Sequence, residues 1–263
     1  MVGLVCITLF VGAALLAPII APYGPYSGAL AGGLQPPSAV HLMGTDVQGR
    51  DQFSRVLYGA RVSLEVGVTA VSLALLVGAL AGALAGGFGG WIDAVLMRIT
   101  DVFLAMPGIL LAIGIVSFLG RGLLQLVLAI AVSYVPTFAR LLRGSLLALR
   151  EADFVIAARS IGASPVHLLV RHMLPNALTP LIVQATLVLA TAIIDIAGLG
   201  FLGLGPPDPS TAEWGTMLSD ASARMATAPY LIFFPGAAIV ITAIGFNLLG
   251  DGLREALDPR LRR

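Results

Sequence analysis

Lysine is absent from this chain: all 15 basic residues are arginine. That excludes a phosphate-cradling P-loop lysine and a Schiff-base lysine. Cysteine occurs once, as Cys6 inside an apolar run, so neither an internal disulfide nor a cysteine-cluster metal site can form. Histidine occurs three times (His41, His167, His172), always outside the long apolar runs, and neither an H-E-x-x-H nor a Ser/His arrangement exists for intramembrane hydrolysis. Charge is scarce as well. Only 11% of residues are Asp, Glu, Lys or Arg, far below what a soluble domain of 263 residues needs to cover its surface. The net charge of +1 argues for neither nucleic acid nor a strongly acidic partner.

What fills the chain is apolar: 58% hydrophobic residues and a mean hydropathy of +0.97. The 31 glycines and 16 prolines follow no G-X-Y period, so collagen-like and low-complexity readings fail. A hydrocarbon core of ~30 Å needs about 20 apolar helical residues. Six segments supply them, at 2–20, 62–87, 102–119, 123–141, 177–197 and 231–249, which predicts an all-α polytopic membrane protein with six transmembrane helices. The first segment has no basic n-region and no clear cleavage site before Pro18, and reads as a retained anchor.

Arginine placement orients the spans. With both termini inside, Arg98, Arg140, Arg143, Arg150, Arg159, Arg171, Arg254, Arg260, Arg262 and Arg263 fall on the cytoplasmic side. Arg50, Arg55, Arg121 and Arg224 fall outside, with Arg61 at the boundary. The first twenty residues carry no arginine, as expected of a truncated or misassigned start.

Two outer segments are long enough to fold. Residues 21–60 end in HLMGTDVQGRDQFSRVLYGAR, whose mixed charges suit a structured loop; His41, Asp46 and Asp51 there read as structural. Residues 198–230 combine glycine-rich apolar backbone with Pro206, Pro207 and Pro209, the pattern of a re-entrant or interfacial segment, with Trp214 expected at headgroup level. In the second span, Gly78, Gly82 and Gly86 are spaced by four. That spacing fits a flat face for close helix contact, and fits a Gly/Ala-rich composition bias equally well. Asp195 is the one acid in the fifth apolar run, toward its outer end. It reads as a pathway-lining or subunit-contact residue, or else as a side chain snorkelling to the interface.

The polar island at 151–176, EADFVIAARSIGASPVHLLVRHMLPN, is built rather than merely connecting. Asp153 suits the start of a helix, and Phe154, Ala157, Ala158 and Ile161 are expected on one low-relief stripe. Gly162 fits a left-handed helix stop, Ser164 an N-cap and Pro165 the first turn of a second helix. That second helix is expected to bury Val166, Leu169, Val170 and Met173, to end at Pro175, and to leave Asn176 capping the fifth span. His167 and His172 are five apart and would not share an α-helical face. The plain alternative is an amphipathic loop that only joins two spans.

This island resembles the EAA loop of bacterial ABC-importer permeases, whose pattern is Glu-Ala-Ala, three residues, Gly, then Leu-Pro twelve positions on. Ala157-Ala158, Gly162 and Leu174-Pro175 stand at that spacing, with Ile156 in place of the glutamate. The resemblance extends through HLMGTDVQGRDQFSRVLYGARVSL, GGFGGWIDAVLMRITDVFLAMPGILLAI and FLGLGPPDPSTAEWGTML to the dipeptide/oligopeptide/nickel permease family, and most to its C-type subunit. It implies a type I ABC-importer transmembrane domain with cytoplasmic coupling helices in a bacterial plasma membrane. Residues 1–61 would form an anchor helix and extracytoplasmic segment, and 62–263 a permease core of five helices. Asp153, Ala157, Ala158, Arg159, Gly162, Ala163, Ser164 and Pro165 would couple to ATPases. The implied partners are a B-type permease, two cytoplasmic ATPase subunits and an extracytoplasmic solute-binding protein. The chain itself would bind no cofactor, ATP and Mg being used by the partners. Peptides are the expected cargo; nickel chelates or other small solutes are the alternative. An ion-gradient secondary transporter would need several intramembrane ionisable groups, and only Asp195 is offered.

Overall fold

The computed structural model describes residues 2–27, 33–208 and 211–257. Pro209 of the expected proline turn, and Arg260, Arg262 and Arg263 of the charge asymmetry, lie outside these residues. Among the described residues five helices are long and apolar enough to cross a membrane, or six with the bent pair counted as one span. They are α1 (Val2–Ile20), α2 (Gln52–Phe88), the pair α3 (Gly90–Leu104) and α4 (Gly108–Leu119), α5 (Leu123–Arg150), the run Pro165–Leu204, and α10 (Tyr230–Leu257).

The third crossing departs from the expected straight span at 102–119: α3 and α4 meet at 90°. Pro107 is the cause. It has no N–H to give, and a proline disfavours helical dihedrals at the residue before it, so α3 ends and α4 restarts from Pro107 at ψ 128°. The second crossing starts at Gln52, ten residues before the expected Val62, because Asp51 caps it there: the carboxylate accepts from the Ser54 N–H at 2.8 Å. Helix α2 therefore runs straight through the expected 61/62 division.

The centre of the bundle is the α2–α5 contact. Gly78, Gly82 and Gly86 lie along it. A methyl on Gly82 would stand 2.5 Å from the Ala139 carbonyl oxygen, and one on Gly78 2.7 Å from Phe138 Cβ. The spacing by four is thus a packing face, and buried Phe138, Leu142 and Leu146 of α5 close onto it. At the Arg150 end of α5, Arg143 grips Asp93 of α3 with two hydrogen bonds, Nη2 to Oδ2 at 2.7 Å, and Arg150 donates to the Gly87 carbonyl. Arg140 pairs with Asp101. Three arginines counted as surface charge therefore tie α5 to the α2–α3 corner.

The opposite end of the bundle is a second packed body. His41 Nδ1 lies 2.9 Å from Asp51 Oδ1, and Asp46 accepts from the Gln48 and Arg50 N–H groups. The Tyr230 hydroxyl donates to the Gln35 carbonyl at 2.8 Å, joining this loop to α10. Trp214 is not at a headgroup surface. It opens α9 (Trp214–Ser222), is 2% exposed, and lies over Gly59 of α2, where its indole N–H donates to the Val56 carbonyl at 3.0 Å. A side chain at 59 would fill that seat.

Candidate functional site

After α5 ends, Ala152 turns the chain with extended dihedrals and its carbonyl accepts from Val155 and Ile156, starting α6 (Asp153–Ser160). Asp153 sits in the first turn and Arg159 in the last, each favourable to the helix dipole. Gly162 then takes φ +88°. Its N–H donates to the Arg159 carbonyl at 3.0 Å, and the Ala163 N–H to the Ala158 carbonyl at 3.1 Å, the paired bonds of a Schellman stop. Two residues later the Ser164 hydroxyl accepts from the His167 N–H, and Pro165 occupies the first helical turn of α7 (Pro165–His167). Every turn of this segment is closed by its own hydrogen bonds.

The face it presents differs in part from the expected stripe. Val155 is fully buried, and Ala152, Ala158 and Ala163 pack against the main core with Leu168, Leu169 and Met173. Ala158 thus faces the bundle. Phe154, Ala157 and Ile161 form the exposed row, with Ile156 beside them; Ile161 is 88% exposed. Asp153, Arg159, Ser164 and Pro165 are also exposed. An apolar row of this kind, displayed on a turn closed on both sides, is a surface in want of cover. Next to it a cleft of about 410 Å³ opens between Gly87, Arg150, Arg159, Pro165 and Leu169.

Pro175 does not end the second helix. From α7 the chain passes through a π-turn (Leu168–Met173) into α8 (Leu174–Leu199) and a second π-turn (Gly200–Leu204), a run of 40 residues that kinks only at Gly203, where φ is 78°. The Leu174 N–H donates to the Leu169 carbonyl, five residues back. This wider turn gives the Pro175 ring room and replaces the bond its nitrogen cannot make. The register changes with it. Leu168, Leu169 and Met173 are buried, while Val166 and Val170, expected on the same apolar face, are exposed. His167 and His172 come together, ring centroids 5.5 Å apart, because i and i+5 align in a π-turn. Asn176 donates within the helix to the His172 carbonyl instead of capping a new one.

Asp195 lies deeper than its place in the apolar run implies. Its Oδ2 accepts from the Tyr134 hydroxyl at 2.7 Å. Tyr134 is eleven residues into α5, about 16 Å from the helix start at 1.5 Å per residue. Half of a ~30 Å hydrocarbon core is about 15 Å, so a helix entering the core at its first residue would carry this pair near mid-depth. The neighbouring Ser133 hydroxyl donates to the Gly108 carbonyl at 3.2 Å, placing the pair beside the break between α3 and α4.

Tyr134 and Glu213 are the polar side chains that sequence reasoning passed over. Glu213 is fully buried; its carboxylate caps α9, accepting from Gly215 and Thr216 N–H groups at 2.8 Å. Burial pushes its pKa up from 4.5 to about 7, against the pull of those N–H groups. Tyr134 could have been flagged as the lone hydroxyl-bearing ring within an apolar span; nothing marks Glu213.

Six crossings, one broken by proline, with a capped helix pair between the fourth and fifth, define the transmembrane domain of an ABC importer. The same fold is seen in the inward-facing MetNI methionine ABC transporter, at a TM-score of 0.65 over 78% of this chain and 96% of that one, with 21% identity. The chain belongs to the family of binding-protein-dependent transport system inner membrane components, whose model matches residues 78–263; residues 1–37 match the N-terminal transmembrane domain of oligopeptide transport permease C. Among its relatives, the dipeptide transport system permease protein DppC of Alkalihalophilus pseudofirmus is 47% identical over 99% of this chain and 86% of that protein. The glutathione transport system permease protein GsiD of Escherichia coli is 48% identical over 86% of this chain and 74% of its own length.

Proposed function

We propose that this chain is a pathway-forming permease subunit of an ATP-driven importer for short peptides, set in a bacterial plasma membrane with both termini cytoplasmic. It works beside a B-type permease and receives cargo from an extracytoplasmic binding protein. Two cytoplasmic ATPase subunits hydrolyse ATP with Mg, and this chain hydrolyses nothing. Peptide cargo is supported by the names of relatives at 47% and 48% identity, one a dipeptide permease and one a glutathione permease, glutathione being itself a tripeptide.

The observation that carries the reading is the continuity of the run Pro165–Leu204 with the capped α6 seat. A body that docks on Phe154, Ala157 and Ile161 and moves cannot be absorbed by a loose loop. The Schellman stop at Gly162 and the Ser164 cap fix α6 to α7, and α7 is already part of the fifth crossing. ATPase closure would therefore shift that crossing as a rigid element, turning an outward-open pathway inward. Asp153, Arg159, Ala163 and Pro165 frame the seat; Ala158 holds it against the bundle.

Ala157→Glu tests this directly in proteoliposomes holding the complete transporter. It puts a charge on the exposed row without touching the core. ATP-driven dipeptide uptake should fall at least about tenfold, a docking defect of about 1.4 kcal/mol or more, with membrane insertion unchanged. Gly162→Pro, which breaks the Schellman stop, should do the same. Normal uptake by both variants would make the segment a connector.

A further inference from the structure

Asp195 is an acid level with the middle of α5, with no cation of its own. Among the described residues no arginine pairs with it; the ion pairs of the chain gather at the outer loop and at the cytoplasmic end of α5. The side chains around it are Tyr134 from α5 and, one turn back on α8, Thr191, whose hydroxyl is taken by the Val188 carbonyl at 2.9 Å. From α4 the neighbour is apolar: Ile109 lies against Gly198, one turn beyond Asp195. Tyr134 is thus the one titratable side chain that faces the carboxylate.

The carboxylate is only half-buried. Gln184, Thr191 and Asp195 stand at i, i+7 and i+11, so they share one side of α8. Gln184 lines a cleft of about 350 Å³ with Leu141, Thr179, Leu187 and Arg254. A polar line thus runs along α8 from this inner cleft to the Tyr134–Asp195 pair. Facing lipid, such a line would be costly; facing a wet passage, it is a track. The tyrosine hydroxyl holds one oxygen of Asp195 in place, and a carboxylate has about four acceptor positions, most of them still free for a donor.

We infer that the Tyr134–Asp195 pair is a recognition point for the cargo's α-ammonium group, with Tyr134 aiming the carboxylate toward the passage. This rests on the importer reading above: a short peptide brings a cation to the membrane core, and Asp195 supplies the matching anion there. The contact would be made in transit, after the binding protein has released its cargo.

The experiment compares wild type with Asp195→Asn in proteoliposomes containing the complete transporter, with saturating dialanine-loaded binding protein. The readout is dialanine moved per ATP hydrolysed. At pH 7 the wild-type value should exceed the variant's by at least about tenfold, the scale of one lost charge-assisted hydrogen bond. An α-amino group loses its proton near pH 8, so the wild-type-to-variant ratio should shrink below about threefold by pH 9.5. The binding protein is common to both arms and cancels from the ratio. Tyr134→Phe keeps the charge and loses the aim; it should lose about threefold at pH 7 with the same trend, and it decides the matter if the Asn variant does not assemble. A ratio near one at pH 7, or one that stays constant to pH 9.5, overturns the inference. A wild-type complex that moves no dialanine refutes the importer reading and this inference together, whereas a working wild type with an indifferent variant refutes this inference alone.

Discussion

Replacing Glu213 by Gln should remove a pH dependence from the outer half of the molecule. The carboxylate is fully buried, against Gly200 of the second π-turn and Gly205 just beyond it, and a methyl on Gly200 would collide with it. Its folded pKa of about 7 lies above the ordinary 4.5, so the folded state holds a proton that the unfolded chain has already released. The stabilisation is therefore complete below pH 4.5 and lost as pH rises to about 7. A separation of about 2.5 pH units at 1.36 kcal/mol each gives on the order of 3 kcal/mol. At about 2–4 °C per kcal/mol for a chain of this length, the melting temperature should drop about 6–12 °C between pH 4.5 and 7.5. Trp214, next in sequence and buried, is a built-in reporter, and Trp91→Phe makes it the only tryptophan, since the chain has two. Asp220, also raised by burial, moves the same way. The effect is therefore read as the difference between the Trp91→Phe protein and the same protein carrying Glu213→Gln. Parallel pH slopes in the two would refute the buried-proton account.

Gly82→Val should destabilise the bundle by about 1–3 kcal/mol through overpacking, because its side chain meets the Ala139 carbonyl; lowered thermal stability in detergent is the measurement. Asp51→Ala removes the α2 cap and the His41 partner together, and should cost about 2 kcal/mol. Faster proteolysis of the loop before Gln52, with the bundle core still protected, would report it.

Spans and the capped turn between α6 and α7 were legible because both rest on local chemistry. Hydrophobic length marks a crossing wherever it occurs, and Gly162, Ser164 and Pro165 act on their own neighbours. Failures came where a partner distant in sequence decided the outcome. Trp214 looked interfacial until Gly59, 155 positions earlier, offered it a seat. Ala158 and Ala157 are adjacent alanines, and only the bundle distinguishes them. Pro175 carried a correct local signal, a missing N–H and a crowding ring, but the helix answered by widening one turn instead of stopping. That choice also undid the α-helical spacing used for Val166, Val170 and the two histidines. Asp195 was seen at once, yet its depth could be judged only from Tyr134, which pins it to a level of α5.

The run from Pro165 to Leu202, before Gly203 breaks it at φ 78°, has a mechanical corollary. At about 1.5 Å per residue it makes a rod on the order of 55 Å long, nearly twice the hydrocarbon thickness. Pivoting near its centre, such a rod turns a 10° tilt into about 5 Å of travel at either tip, in opposite directions. The tip that an ATPase could push and the tip beside Glu213 and Trp214 then belong to a single lever. A stroke delivered at the Pro165 end would reach the Glu213 end without relay through any other part of the chain.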